Sequence, residues 1–175
     1  PSSRGGRRRA VIAVDTSVVL KWFKPAERYE AEASDLRQRV EGKSGEAAAH
    51  ELVSLEVVRG LKKAQNVEPH LGIRDTDIEQ AFGCIERMFG TRILVQCQVA
   101  QVKTLAKNLE VQQGLYVADA LHLATAIHLG AAHFVTDDHH LLRDGVVKHA
   151  ASRGVAVVNL PDLLSALDAS AEGSS

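Results

Sequence analysis

The segment "LYVADALHLATAIHLGAAHFVTDDHHL" (residues 115–141) gives the clearest indication of the fold. Its first half is apolar on nearly every side, as in a helix that is largely buried. Gly130 follows as a helix-ending residue, and the run "HFVT" (133–136) predicts a buried strand. That strand leads directly into Asp137 and Asp138, two adjacent acids at the point where the strand would leave its sheet.

The same alternation of strand and helix continues over the rest of the chain. Strands are predicted at 10–15, 92–97, 133–136 and 154–160. Helices are predicted at 27–41, 47–65, 75–88, 99–112, 117–129 and 161–168. Strands separated by helical segments of this length predict a parallel sheet with helices on both faces. In such sheets the functional site lies in the crevice beyond the carboxyl ends of the strands.

Composition narrows the class of protein. The 175 residues are 45% hydrophobic and 25% charged, which suits one globular domain with a sizeable core. The 21 basic and 22 acidic residues nearly cancel, so no general positive field favours nucleic acid. An enzyme that grips a short RNA through a metal ion remains compatible with this balance. No apolar stretch is long enough for a membrane span, and Cys84 and Cys97 lack CxxC spacing, so we expect a cytoplasmic protein with reduced thiols.

We expect three regions along the chain. They are a flexible basic leader (1–9), a folded domain (10–168) and a flexible tail (169–175). The arginine run of the leader (7–9) either lies in solvent or contacts RNA, and the apolar run after it is too short for a signal peptide. The tail has the composition of a disordered segment.

Three acids and a histidine stand at positions with two possible readings each. Asp15 ends the first strand and could cap the next helix; neither GxGxxG nor GxxxxGK[ST] follows it, so it does not belong to a phosphate-binding loop. Glu56 lies within the apolar stripe of helix 47–65, where a carboxylate is costly unless it is paired, for example with an Arg. Asp119 lies in the first turn of a buried helix, where the dipole stabilises an anion. His122, one turn later, reads most simply as a core histidine bonded to Asp119 or another neighbour.

The combination of acids suggests a metal site. Acids at two strand ends, on an inward helix face and at the start of a buried helix can converge on one crevice, where they would raise each other's pKa. They coexist there only if a hard cation neutralises them. Ligands that are all oxygens indicate Mg²⁺ or Mn²⁺ rather than zinc. Such a site suits phosphoryl chemistry, because the metal polarises the phosphate and lowers the pKa of a bound water.

Three segments, in this order and at this spacing, resemble the PIN domain. They are "IAVDTSVVLKWF" (12–23), "LVSLEVVRGL" (52–61) and the segment 115–141 quoted above. The resemblance covers about residues 10–165 and is greatest to the short prokaryotic members called VapC, the toxins of VapBC toxin–antitoxin pairs. It implies a three-layer α/β/α sandwich with a mostly parallel sheet of four to five strands. It also implies metal-dependent cleavage of single-stranded RNA, a homodimer, and inhibition by a small antitoxin of the VapB type.

The resemblance also implies roles for individual residues. The catalytic residues, which would also bind Mg²⁺ or Mn²⁺, are Asp15, Glu56, Asp119 and Asp138. The supporting residues are Ser17, Thr136 and Asp137. The T-x-D pattern that begins at Thr136 selects Asp138 over Asp137 as the fourth acid. We expect Asp137 to cap the next helix, Asp138 to lie in its first turn, and His139 and His140 to be exposed there.

Other readings stay open or are weak. Aspartyl-phosphate phosphatases need D-x-D where this chain has "DTS". A zinc site at His139 and His140 lacks a spaced pair of partner ligands. A PIN-like nuclease of RNA processing outside a toxin pair, or a non-catalytic binding module, remains possible. Contacts to RNA must be local, and the candidate side chains near the crevice are Lys21, Lys24, Lys62 and Arg143.

Overall fold

The computed structural model describes residues 12–42 and 46–172. Within them, one sheet contains five strands: β1 (Ile12–Val14), β2 (Ala47–His50), β3 (Leu94–Cys97), β4 (His133–Val135) and β5 (Ala156–Val158). Their order across the sheet is β3-β2-β1-β4-β5. Each neighbouring pair is parallel.

Helices connect the strands. Those in the described residues are α1 (Thr16–Leu20), α2 (Glu30–Gly42), α3 (Val53–Val67), α4 (Asp75–Gly90), α5 (Val99–Gln113), α6 (Val117–Leu129), α7 (Asp144–Ser152) and α8 (Leu160–Glu172). A 3-10 turn at Pro69–Leu71 separates α3 from α4. Helices α5, α6 and α7 share one apolar cluster, and the other five share a second. No helix in these described ranges is long and apolar enough to cross a membrane.

The two apolar clusters lie on opposite faces of the sheet because side chains alternate along each strand. Ile12 and Val14 of β1 belong to the cluster that includes α1 to α4 and α8, as does Val135 of β4. Ala13 and Phe134 belong to the cluster with α5, α6 and α7. Strands covered on both faces have no polar face, which is why β1 reads as a continuous apolar run. The predicted three-layer α/β/α sandwich is confirmed.

The strand β2 corrects the predicted helix at 47–65. Its first four residues, Ala47–His50, pair with β1 on one side and β3 on the other, and the helix begins only at Val53. Alanine favours helices when nothing else decides. Here all four residues are buried between helical layers, and the fit of small side chains in that central position outweighs the local preference.

Two helices, α1 and α7, lie outside the helix ranges predicted from the sequence. Helix α1 has only five residues, and its β-branched Thr16, Val18 and Val19 weaken the helical pattern. Helix α7 begins "DG", and Gly145 lowers its helix propensity. A helix was expected directly after β4. The structure has a turn there, and the next helix, α7, starts only at Asp144.

The last helix is longer than predicted. Helix α8 continues to Glu172, past the predicted end at residue 168. The predicted leader (1–9) and the last three residues of the predicted tail lie outside the described residues.

Sheet order determines which side chains meet. Strand β1 lies at the centre, between β2 and β4, so the segments that follow these three strands emerge at the same edge. Helix α6 packs against all three strands. Its first turn lies at that edge as well, because Asp119 interacts electrostatically with Asp15, the residue that follows β1.

Candidate active site

Asp15 occupies the carboxyl end of the central strand. It follows β1, caps α1, and is only 4% exposed. Its Oδ2 atom accepts hydrogen bonds from the Ser17 hydroxyl (2.7 Å) and the Thr136 hydroxyl (2.8 Å). The Oδ1 atom lies 3.8 Å from Nε2 of His122. The capping role considered from the sequence is therefore real, and the same carboxylate also faces the crevice.

Glu56 extends from the first turn of α3 toward α1 and α6. Its Oε2 accepts a hydrogen bond from the Thr16 hydroxyl at 2.7 Å and lies 2.6 Å from His122 Nε2. The partners of this inward carboxylate are thus a hydroxyl and a histidine rather than an Arg. Burial alone would raise the pKa of Glu56, but the bonds and charge of His122 and the Thr16 bond outweigh burial and lower it.

His122 of α6 is buried and contacts residues of both α1 and α3. It is 2% exposed, and its Nε2 lies 3.0 Å from the Thr16 hydroxyl as well as 2.6 Å from Glu56. Burial works to lower the pKa of His122, but the bond to Glu56 and the negative charges of Asp15, Glu56 and Asp119 raise it. From the sequence, Asp119 was a possible hydrogen-bond partner of His122. In the structure that partner is Glu56, on helix α3. Local periodicity contains no information about a pair 66 residues apart.

His50 was not singled out from the sequence. It ends β2, is fully buried, and accepts a hydrogen bond from the Leu52 amide through Nδ1 at 3.2 Å. Its ring meets the ring of His122 edge to face, with centroids 5.9 Å apart. Burial and the nearby His122 charge lower the pKa of His50 to about 4. Its place at a strand end, where polar residues accumulate in this fold, is the signal that could have found it.

Asp119 is half-buried at the start of α6. Burial and the negative charges of Asp138 and Asp15 raise its pKa to about 6, against the opposing effect of His122 and His140. The first turn of a helix stabilises an anion, yet here burial, with the two neighbouring acids added, outweighs that effect. Asp119 thus interacts electrostatically with the acids that follow β1 and β4.

The Thr136–Asp138 segment separates its two acids. The Asp137 amide donates to the Ser17 hydroxyl at 2.9 Å, and its carboxylate forms an ion pair with Lys21 at 2.9 Å. The Asp138 Oδ1 accepts a hydrogen bond from the His140 amide at 2.7 Å. The prediction that Asp137 is the cap is therefore wrong: Asp138 caps the turn, because the Asp137 carboxylate is held by a lysine whose side chain is 4% exposed.

The four predicted acids are linked by charge or through His122. Asp119 feels the charges of Asp15 and Asp138, and Glu56 reaches Asp15 through His122. Among the described residues, a group of three potential ligands with all ligand atoms within 4.8 Å is instead Asp138, His139 and His140. Mg²⁺ keeps several waters and needs only one or two direct carboxylates, so not all four acids need to bind one ion directly.

The sequence and the fold were compared with known protein families and solved structures. Residues 12–145 match the PIN domain family. The fold is similar to that in the crystal structure of PAE2754 from Pyrobaculum aerophilum, with a TM-score of 0.58 over 94% of this chain and 99% of that one. The two sequences are 17% identical, so this likeness concerns the fold alone. No curated protein matches the chain significantly.

Proposed function

Because the chain belongs to the PIN-domain family, we propose that it is a divalent-metal-dependent endoribonuclease that cleaves single-stranded RNA. The family consists generally of nucleases, which hydrolyse phosphodiester bonds. The observation that carries the proposal is that half-buried Asp119 interacts electrostatically with Asp15 and Asp138, which follow two strands at the carboxyl edge of a parallel sheet. Negative charges that raise the pKa of a neighbouring carboxylate in this way favour a cation among them.

Each residue has a defined part in this proposal. Mg²⁺ or Mn²⁺ would be held by Asp15, Glu56, Asp119 and Asp138. When bound, the cation supplies Lewis-acid polarisation of the phosphate and a water of lowered pKa. Ser17 and Thr136 orient Asp15 through its Oδ2 atom, His122 and Thr16 hold Glu56, and Asp137 fixes the loop after β4 through Lys21.

A cleavage assay with defined single-stranded RNAs tests the proposal. We expect cleavage in Mg²⁺ or Mn²⁺ and none after chelation with EDTA. Asp119→Asn should abolish cleavage, whereas Asp162→Asn should not. Asp162 is a matched control because it also lies in the first turn of a helix, but it is exposed on α8. Equal cleavage after chelation would reject the metal mechanism. No cleavage of any RNA, with metal binding demonstrated, would favour a non-catalytic binding module.

We further propose that the protein is the toxin of a VapBC-type pair, acting as a cytoplasmic homodimer. The order of the three sequence segments supports this assignment, and both cysteines are free, as in a reducing compartment. A carboxylate cluster without its metal attracts an Arg or Lys side chain, which a small VapB-type antitoxin would provide.

Coexpression with the product of the neighbouring small open reading frame, followed by pull-down and light scattering, tests the pair. We expect a stable complex that contains two copies of this chain. A monomer that ignores that product, yet still cleaves RNA, would instead support a nuclease of RNA processing outside a toxin pair.

A further inference from the structure

Three aromatic rings form a continuous row on the surface beside the acids: Tyr116, His140 and His139, here called the aromatic row. The Tyr116 and His140 rings meet edge to face, with centroids 5.8 Å apart. The His139 and His140 rings lie 4.0 Å apart with a tilt of 38°. Tyr116 is 72% exposed, and the His139 side chain is 85% exposed.

The aromatic row adjoins the proposed active site at both ends. Tyr116 directly precedes α6, three residues before Asp119. His139 and His140 directly follow Asp138. The charge of His140 also acts on Asp119, so the middle of the row lies within electrostatic reach of that acid.

Backbone contacts hold the turn that carries the two histidines. The His140 amide donates to Asp138 at 2.7 Å, and the His140 carbonyl accepts from Nε of Arg143 at 2.9 Å. Nη2 of Arg143 donates to the Gln113 carbonyl at the end of α5 at 3.1 Å. The turn is thereby tied to the segment that leads into Tyr116. The guanidinium of Arg143, an exposed residue, lies beside the row with backbone carbonyls as these two partners.

The Tyr116 ring has no evident structural task. It stands at the N-cap position of α6, but its side chain makes no capping hydrogen bond. Large aromatic side chains contribute most when their faces are covered, and here most of the ring remains open to solvent. A ligand with a flat π-face would cover it without disturbing the helix.

We propose that the aromatic row is a stacking surface for one or two unpaired bases of the RNA strand, with Arg143 beside the adjoining phosphates. This inference rests on the proposed nuclease function and names how its substrate is held. Aromatic rings bind bases of any sequence because every base has a π-face. Net charge of −1 gives the protein no general attraction for RNA, so local stacking supplies binding that the overall field does not.

A single-stranded RNA that carries 2-aminopurine tests the inference, because stacking quenches the fluorescence of that base. Binding is measured first in EDTA and then in Ca²⁺, with the RNA checked for integrity on a gel. We expect quenching by the parent protein, and for Tyr116→Ala about tenfold weaker binding with loss of quenching. Tyr116→Phe is the matched control: it keeps the ring and should bind within about twofold of the parent. The salt dependence of binding should be the same for all three, since Tyr116 neutralises no phosphate.

The outcomes separate stacking from the nuclease proposal. Quenching that depends on the Tyr116 ring, in a protein that never cleaves RNA, would support the stacking surface and reject the nuclease. Cleavage and binding that are unchanged in Tyr116→Ala would reject the stacking surface and leave the nuclease intact. Loss of the dimer or of a protein partner in Tyr116→Ala, with RNA binding intact, would make the row a protein contact and overturn the inference. Because the side chain is exposed, melting temperatures should change little and should confirm that each variant folds.

Discussion

At the scale of single residues, the adjacent acids Asp137 and Asp138 have different surroundings. The Asp137 carboxylate forms an ion pair with Lys21, which is almost fully buried. Asp138 caps its own turn and acts electrostatically on Asp119. The T-x-D pattern selects Asp138 as the fourth acid, and that selection stays a prediction. The Lys21 partner could not be read from the sequence because Lys21 directly follows α1, near the other end of the chain.

We predict opposite effects for these two acids. Asp138→Asn should lower the cleavage rate at least tenfold, or about 1.4 kcal/mol of barrier. Asp137→Asn should leave cleavage nearly normal. It should lower the free energy of unfolding by about 1–3 kcal/mol, because the nearly buried Lys21 loses one of its two ion-pair partners among the described residues and keeps Glu27. Single-turnover cleavage and urea unfolding measure the two quantities. A crippled Asp137→Asn beside a normal Asp138→Asn would make Asp137 the fourth acid.

Asp119 gives a prediction for stability against pH. A folded-state pKa of about 6, above the ordinary 3.8, means that the folded protein holds this proton more tightly than the unfolded chain does. The contribution of Asp119 to stability therefore falls as pH rises from about 4 to 6 and stays unfavourable above that range. In EDTA, Asp119→Asn should melt at the parent temperature or higher at pH 7.5, and that difference should shrink toward pH 4.

Added metal should reverse the order of the melting temperatures of the parent and Asp119→Asn. Saturating Mg²⁺ should raise the melting temperature of the parent much more than that of Asp119→Asn, since binding to the folded state alone adds RT ln(1 + [L]/Kd). A large loss of metal-free stability in Asp119→Asn would instead identify the carboxylate as an anchor for the start of α6.

At the scale of elements, one polar junction joins three helices. Thr16 of α1, Glu56 of α3 and His122 of α6 make mutual contacts of 2.6 to 3.0 Å. Glu56 and His122 each stood out in the sequence, as an inward acid and a core histidine. Their meeting did not, because it depends on how α3 and α6 lie on opposite sides of β1 and β2. Strand β2 was missed for a related reason: three alanines carry no strand signal until their neighbours are known.

We predict that His122→Ala lowers the free energy of unfolding by about 2–4 kcal/mol, because Glu56 loses a charge-assisted bond in a half-buried site. The raised pKa of His122 sets the pH dependence. Its stabilising effect is fully present below the ordinary value of 6.5 and is lost as pH rises through the higher folded value. The difference between parent and His122→Ala should therefore be larger at pH 6 than at pH 9. His128→Ala, on the exposed side of the same helix, is the control and should cost little.

At the scale of the whole molecule, the charges nearly cancel, and most basic candidates for RNA contact are already paired. Lys21 and Lys24 both bond to Glu27, and Lys62 bonds to Asp75. Arg143 instead donates to two backbone carbonyls, which carry no net charge. The sequence could nominate these side chains but not rank them, since ranking depends on which acid each one meets in the fold.

We predict that Arg143→Ala weakens RNA binding at low salt and lowers the slope of log affinity against log salt by about 0.7, the value for one phosphate contact on a single strand. Lys62→Ala, which removes a lysine already paired with Asp75, should change the slope much less. Titrations of labelled RNA at several salt concentrations measure both slopes. Equal slopes for Arg143→Ala and the parent would exclude a phosphate contact at this residue.

The two hydroxyls on one oxygen of Asp15 have a consequence for ion selectivity. Ser17 and Thr136 both donate to Oδ2, which leaves Oδ1 as the oxygen that the proposed cation would meet, so Asp15 would act as a monodentate ligand. Calcium gains much of its affinity from bidentate carboxylates and from six to eight oxygens, whereas magnesium accepts single oxygens in an octahedron completed by water. A pair of hydroxyl groups at the end of a strand would thus favour the smaller, more strongly hydrated cation.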